Sequence, residues 1–146
     1  MQKDNIKLNI NVPQVEFQFE ESTIKVLKYV DLKTKTRIIS SYIGLFFKDD
    51  DLLQNYLIAE NSLMLEVTDL CTNVQILGDN AIELEALVGS GLWDMIYPRI
   101  ANYAEVRRDI QKLIEMTRAN IFSEKSVGVI LDLLFEKLTE VLENIS

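Results

Sequence analysis

At Asp31 the hydrophobic period of this chain changes from two residues to three and four, and few architectures accommodate both halves. Before that point, Ile6, Leu8, Ile10 and Val12 alternate with polar residues, the pattern of a half-buried strand. Val15, Phe17 and Phe19 alternate on the opposite parity, and Pro13 lies at the change. A bend or bulge at Pro13 would return both sets to one face. Glu20-Glu21-Ser22-Thr23 predicts a turn, and Ile24 to Val30 a third strand rich in β-branched and aromatic residues. Two or three strands alone are marginal in water. The predicted β-meander or arm of residues 1–30 must therefore lie on later elements or pair with a neighbouring subunit.

From Asp31 onward the spacing is helical. Asp31 is a good N-cap for a helix with Leu32, Thr36, Ile39, Ile43 and Phe46 on one face. Asp49, Asp50 and Asp51 favour the positive end of a second helix, whose predicted core stripe is Leu53, Tyr56, Leu57, Leu63, Met64, Val67 and Leu70. Thr72-Asn73 and Gly78-Asp79-Asn80 interrupt the pattern. A short helix through Ile82, Leu84, Leu87 and Val88 follows, closed by Gly89-Ser90-Gly91. Leu92 to Ile96 predicts one or two further turns that stop before Pro98. Asn102 and Glu105 form a capping-box variant ahead of a face made by Tyr103, Val106, Ile110, Leu113, Ile114 and Thr117. Ser123 can cap a last helix with the stripe Val127, Ile130, Leu131, Leu134, Leu138, Val141 and Ile145, and the short connection predicts an antiparallel pair. With no internal repeat and no long linker, the reading is one α+β domain, residues 1–146. An N-terminal β-meander or arm (1–30) is followed by a bundle of about five helices (31–146).

Composition limits the chemistry. The 146 residues are 48% apolar, enough for a globular core without a metal or disulfide. There is no His, and Cys71 is the single Cys, which excludes His-dependent catalysis, His/Cys zinc sites and intramolecular disulfides. Gly89-Ser90-Gly91 is too short for a phosphate-cradling loop and no Lys follows it. Asp49, Asp51 and Glu60 occupy positions one, three and twelve of a calcium-loop frame, but Leu53 and Gln54 stand where a ligand and a Gly are needed. Helix capping explains these aspartates better. No catalytic residue, cofactor or metal is expected, and the chain is not read as an enzyme. The polar start and the absence of an apolar run near the roughly 20 residues of a membrane span predict no signal peptide and no membrane partner. Synthesis in a reducing cytoplasm is the matching expectation for a free thiol.

The formal charge of −8 is unevenly placed. Residues 1–48 carry eight basic and five acidic residues, residues 49–97 ten acidic and no basic residue, and residues 98–146 seven basic and eight acidic. A basic footprint for nucleic acid is missing, so direct nucleic-acid binding is not expected. An acidic middle third suits either a solvated face or docking against a basic surface. Asp49, Asp50, Asp51 and Glu60 are the candidate docking carboxylates. Phe47, beside them, and Trp93, in Gly91-Leu92-Trp93-Asp94-Met95-Ile96, are candidate aromatic anchors, with core packing the competing reading for Trp93.

The stretch Val26-Leu27-Lys28-Tyr29-Val30-Asp31-Leu32-Lys33-Thr34-Lys35, the later Thr72-Asn73 and the segment Gly91 to Ile96 together resemble a family of small uncharacterised proteins encoded by phages of low-GC Gram-positive bacteria. The resemblance touches about half the chain and brings no catalytic residues. It implies a virion-assembly or accessory protein, made in the host cytoplasm and carried into the virion if structural. The expected function is therefore a non-enzymatic phage protein that works through protein–protein contacts and self-associates as a homo-oligomer. The alternative is an acidic inhibitor of a host nucleic-acid-binding protein, acting in anti-defence or as a nucleic-acid mimic.

Overall fold

A computed structural model describes residues 11–76, 80–121 and 127–145. The alternation at Ile6, Leu8 and Ile10 and the cap expected at Ser123 lie outside these residues. The chain opens with an antiparallel hairpin, β1 (Gln14–Phe19) and β2 (Ser22–Leu27). Its register sets Val15 opposite Val26 and Phe17 opposite Ile24, so the second of the two predicted apolar sets gathers on one face with the apolar residues of β2. The connection is tighter than expected: Ser22 already pairs with Phe19, leaving Glu20-Glu21 as a two-residue loop with Glu20 at φ 54°. A left-handed residue there matches the twist of the flanking strands.

Among the described residues six α-helices follow, five of ten residues or more and one of five, which is the predicted α+β architecture with a helical bundle. Helix α1 (Leu32–Phe46) begins where the period changes, because Asp31 accepts from Thr34 N at 2.8 Å. Ile39, Ile43 and Phe46 of the marked face are buried and the column Ile38 and Tyr42 joins them, while Leu32 at the start of the helix is exposed and Thr36 half-buried. Helix α2 (Leu52–Cys71) is capped by Asp51, which accepts from Gln54 N at 3.1 Å. Helices α3 (Asn80–Gly89) and α4 (Leu92–Ile96) are separated by Gly91 at φ 83°, and a 3-10 turn at Tyr97–Arg99 leads towards α5 (Tyr103–Ile121). The face of α5 is as predicted, with Val106, Ile110, Ile114 and Thr117 buried. Helix α6 (Val127–Ile145) lays Leu131, Leu134 and Leu138 along a seam with Ile39 and Ile43 of α1 and Leu113 of α5.

Two expectations need correction. The stripe assigned to the first half of α2 is not its core face. Leu53 is 70% exposed and Leu57 51%, while Asn55, Ala59, Leu63, Val67 and Cys71 face α1 and the core. Asn55 Nδ2 donates to Asp49 O at 2.6 Å, and the small Ala59 permits close helix approach, so this column wins the inside despite its lower hydrophobicity. Secondly, β2 stops at Leu27 rather than Val30, because residues beyond it change partners. Lys28 O accepts from Ala101 N (2.7 Å), Val30 N donates to Asn102 Oδ1 (2.8 Å), and Asn102 Nδ2 donates to Val30 O (2.9 Å). The capping box is thereby dissolved: the Asn102 side chain serves Val30, and Glu105 pairs instead with Lys35.

A second asparagine does the same work upstream. Lys25 N donates to Asn73 Oδ1, Asn73 N to Lys25 O, and Asn73 Nδ2 to Thr23 O. The edge of β2 that faces away from β1 is thus satisfied by side chains and short bridges rather than by a third long strand. Val30 is 3% exposed, so its polar groups have no water to replace Asn102. Asn102→Ala is expected to cost about 2–3 kcal/mol in urea unfolding, and Asn102→Asp, which keeps the acceptor only, less than Ala. Equal stability of Asn102→Ala and the parent chain would show that this clamp contributes nothing.

Candidate functional site

The short connection between α1 and α2 brings Phe47, Asp49, Asp50 and Asp51 to one corner. All three aspartates are exposed, and Asp51 is additionally committed to the helix cap. Phe47 is half-buried, edge-on to Phe46 with ring centroids 5.0 Å apart. From this corner the first two turns of α2 present Leu52, Leu53, Tyr56, Leu57 and Ile58 outward, each more than 40% exposed. Large apolar side chains gathered in this way are a marked feature of a protein surface. Sequence reasoning missed this ridge because α2 is apolar around most of its circumference between residues 52 and 59, so two stripes compete for the inside. The signal that could have decided it is Asn55 with Ala59, a polar and a small residue at helical spacing.

Glu60 is not part of the exposed corner. Its carboxylate takes a forked pair of hydrogen bonds from Arg107 of α5, Nη1 to Oε2 at 2.8 Å and Nη2 to Oε1 at 2.7 Å. Tyr42 Oη of α1 donates to the same Oε1 at 3.1 Å. Three helices thus meet at one carboxylate. The charge-assisted bond from Glu60 raises the Arg107 pKa even though burial opposes it. Burial first, and then the Glu60 charge, raise that of the Tyr42 phenol. The three groups line a groove of about 320 Å³ whose floor is Phe46, Ile110 and Ile114, with the Arg118 guanidinium over the Phe46 ring at 5.5 Å.

Glu66, one helical face away, is shared by Ser41 Oγ (3.4 Å) and Arg37 Nε (3.7 Å) of α1. Burial raises its pKa above the ordinary carboxyl value, while Ser41 and Arg37 hold it down in part. Trp93 lies on the other side of the α4 corner, 8% exposed, packed with Tyr97 and Tyr103 at 5.5 and 5.9 Å between centroids. The structure therefore places this ring in the core and does not bring it to the acidic corner. Cys71 is buried, and desolvation pushes its thiol up to about 11, which leaves it protonated and a poor nucleophile at neutral pH. Ser22 and Lys25 have the Ser-x-x-Lys spacing, but on β2 an odd separation puts them on opposite faces. Among the described residues no three His, Cys, Asp or Glu side chains converge on a metal position, and no helix is long and apolar enough to cross a membrane.

No family model, curated protein or solved structure matches this chain.

Two measurements test the wiring. In a double-mutant cycle of Glu60→Gln with Arg107→Lys, the forked geometry should give a coupling of about 1 kcal/mol, above the few tenths typical of exposed pairs. A coupling indistinguishable from zero would mean the fork is ornamental. For Glu66, the folded pKa lies above the unfolded one, so protonation favours the folded chain. Its contribution is present below the ordinary carboxyl range and is lost as pH rises through the folded value. An NMR titration should find the Glu66 carboxyl midpoint above 4.5. In Arg37→Gln it should move higher still, and a downward move would overturn the assignment.

Proposed function

We propose that this chain is a non-enzymatic protein that acts through protein–protein contacts and self-associates as a structural or assembly component. The observation that carries the reading is the state of α6. Leu131, Leu134 and Leu138 reach the seam with α1 and α5 and are half-buried there, yet the helix also exposes Leu133, Phe135, Val141 and Ile145 at 45–65%. Leu131, Leu134, Leu138, Val141 and Ile145 follow three- and four-residue steps, and the last two run on exposed beyond the seam with α1 and α5. The acidic residues Asp132, Glu136, Glu140 and Glu143 fall outside that line, so two copies of α6 can meet at its C-terminal end without opposing them. The resemblance of residues 26–35, 72–73 and 91–96 to small phage proteins favours a virion-assembly or accessory role for such an oligomer.

A second reading, an acidic inhibitor that offers residues 49–97 to a basic partner, is favoured by one observation. Asp49, Asp50, Asp51 and Asp69 are exposed, and no Lys or Arg occurs within residues 49–97. Glu60 and Glu66 drop out of that surface, since both are spent on contacts between helices.

Light scattering after size exclusion separates the readings. The parent chain at about 100 μM should show a mass that is a multiple of 16.8 kDa. Val141→Glu with Ile145→Glu should return it to the single-chain mass, since both side chains are exposed in one copy and their loss leaves the fold intact. A parent chain that runs at the single-chain mass, or a variant that keeps the parent's mass, removes α6 as the contact.

A further inference from the structure

We propose that the outer face of α2 is a docking surface for a cationic amphipathic helix of a different protein. The apolar part of the surface is the ridge Leu52, Leu53, Tyr56, Leu57 and Ile58, with Leu53 and Leu57 at its crest. From Ile58 the surface runs into a groove of about 500 Å³ bordered by Leu65 and Asp69. The stretch from Asp49 to Asp69 spans about 30 Å at the helical rise, the length of a helix of some 20 residues. A ridge of i, i+4 side chains is the shape that packs into the groove of a facing helix.

Charge selects the occupant. The surface is bounded by Asp49, Asp50 and Asp51 at one end and Asp69 at the other, all exposed. Two cations come near it from other helices, and both are already taken: Arg107 by Glu60 and Arg37 by Glu66. A ridge of leucine and tyrosine framed by exposed carboxylates that outnumber the neighbouring Lys48 is complementary to leucine-type side chains framed by Lys or Arg. A second copy of this chain does not supply them. Two α2 faces would oppose acid to acid, at a cost of several kcal/mol for like charges in contact. Helix α6 is apolar but acidic, and α5 carries Arg108 and Lys112 but a single large exposed apolar residue, Met116. Helix α1 exposes Lys33 and Arg37 beside a single large apolar residue, Leu32, and its Arg37 is held by Glu66. Among the described helices none joins a basic face to a row of exposed apolar side chains, which favours another protein as the partner. This surface is separate from the one on α6 that supports self-association.

The probe is an 18-residue helical peptide with leucine on one face and lysine on the other, compared by fluorescence anisotropy with a peptide of the same leucine pattern carrying glutamate. The lysine peptide should bind and the glutamate peptide should not. Leu53→Gln with Leu57→Gln, both surface changes to good helix formers, should weaken binding about tenfold or more, and Asp49→Asn with Asp50→Asn about threefold or more. Glu136→Gln with Glu140→Gln on α6 makes the same change in net charge and should leave binding within about twofold. Val141→Glu with Ile145→Glu should likewise still bind, which keeps this surface independent of the oligomer contact. The proposal is overturned if both peptides bind alike, if the ridge variant binds as the parent does, or if the α6 charge variant loses as much as the corner variant.

Discussion

Helix α2 makes the most extensive helix–helix contact of the bundle, along α1, and is part of the most acidic stretch of the chain, and these two facts constrain what surrounds it. A carboxylate at a helix–helix seam is costly unless a counter-charge or donor meets it there. Glu60 and Glu66 are met by Tyr42, Ser41 and Arg37 from α1 and by Arg107 from α5. Each of these bonds tolerates little axial slip, so together they set how α1 and α5 sit along α2. Lys35 of α1 completes the frame through Glu105 and Asp109 of α5, the latter at 2.6 Å. The apolar side chains supply most of the driving force, while the charged ones fix which register that force settles into. The division of charge along the sequence, with Lys and Arg confined to the two flanks of an acidic middle, is thus partly internal to the fold.

The hairpin solves a different problem. Two strands offer too little buried surface to stand alone, and an unpaired edge invites the wrong neighbour. Here Ile24 and Val26 press into the core while Asn73 completes hydrogen bonds on the outer edge of β2 and Asn102 those of Val30 just beyond it. A side-chain amide offers one donor and one acceptor at nearly the spacing of a peptide group, so each asparagine substitutes for a short piece of strand. The isolated bridge between Val26 and Thr72 adds the one backbone pairing that the end of α2 can reach.

Much of this was legible in the sequence. The change of period at Asp31, the cap at Asp31, the run of aspartates at the start of α2, and the apolar column of α5 each follow from local rules, and local rules suffice where one face is clearly more apolar than the other. They fail where the decision is tertiary. On α2 two apolar stripes compete, and the inward choice of Asn55 and Ala59 depends on how closely α1 can approach. Asn102 obeys a local rule in sequence and a distant one in the structure, because Val30, 72 residues away, has a stronger need for it. At the candidate surface the acidic corner was readable, since runs of aspartate are compositional. The reassignment of Glu60 to the interior was not, since nothing near Glu60 in sequence announces Arg107.

The Asn102 clamp also imposes an order in time. Residues 22–30 leave a ribosome long before residue 102 is made, so Lys28 and Val30 stay unanswered even after Asn73 has become available to Thr23 and Lys25. Contacts between segments so far apart form late and slowly, because loop closure must come first. During that interval the nascent hairpin carries an open strand beside the apolar face of Ile24 and Val26, the combination most prone to pair with another chain. The exposure ends in two steps, Asn73 after α2 for Thr23 and Lys25 and then Asn102 ahead of α5 for Val30, so the beginning of the chain becomes safe only once synthesis has reached α5.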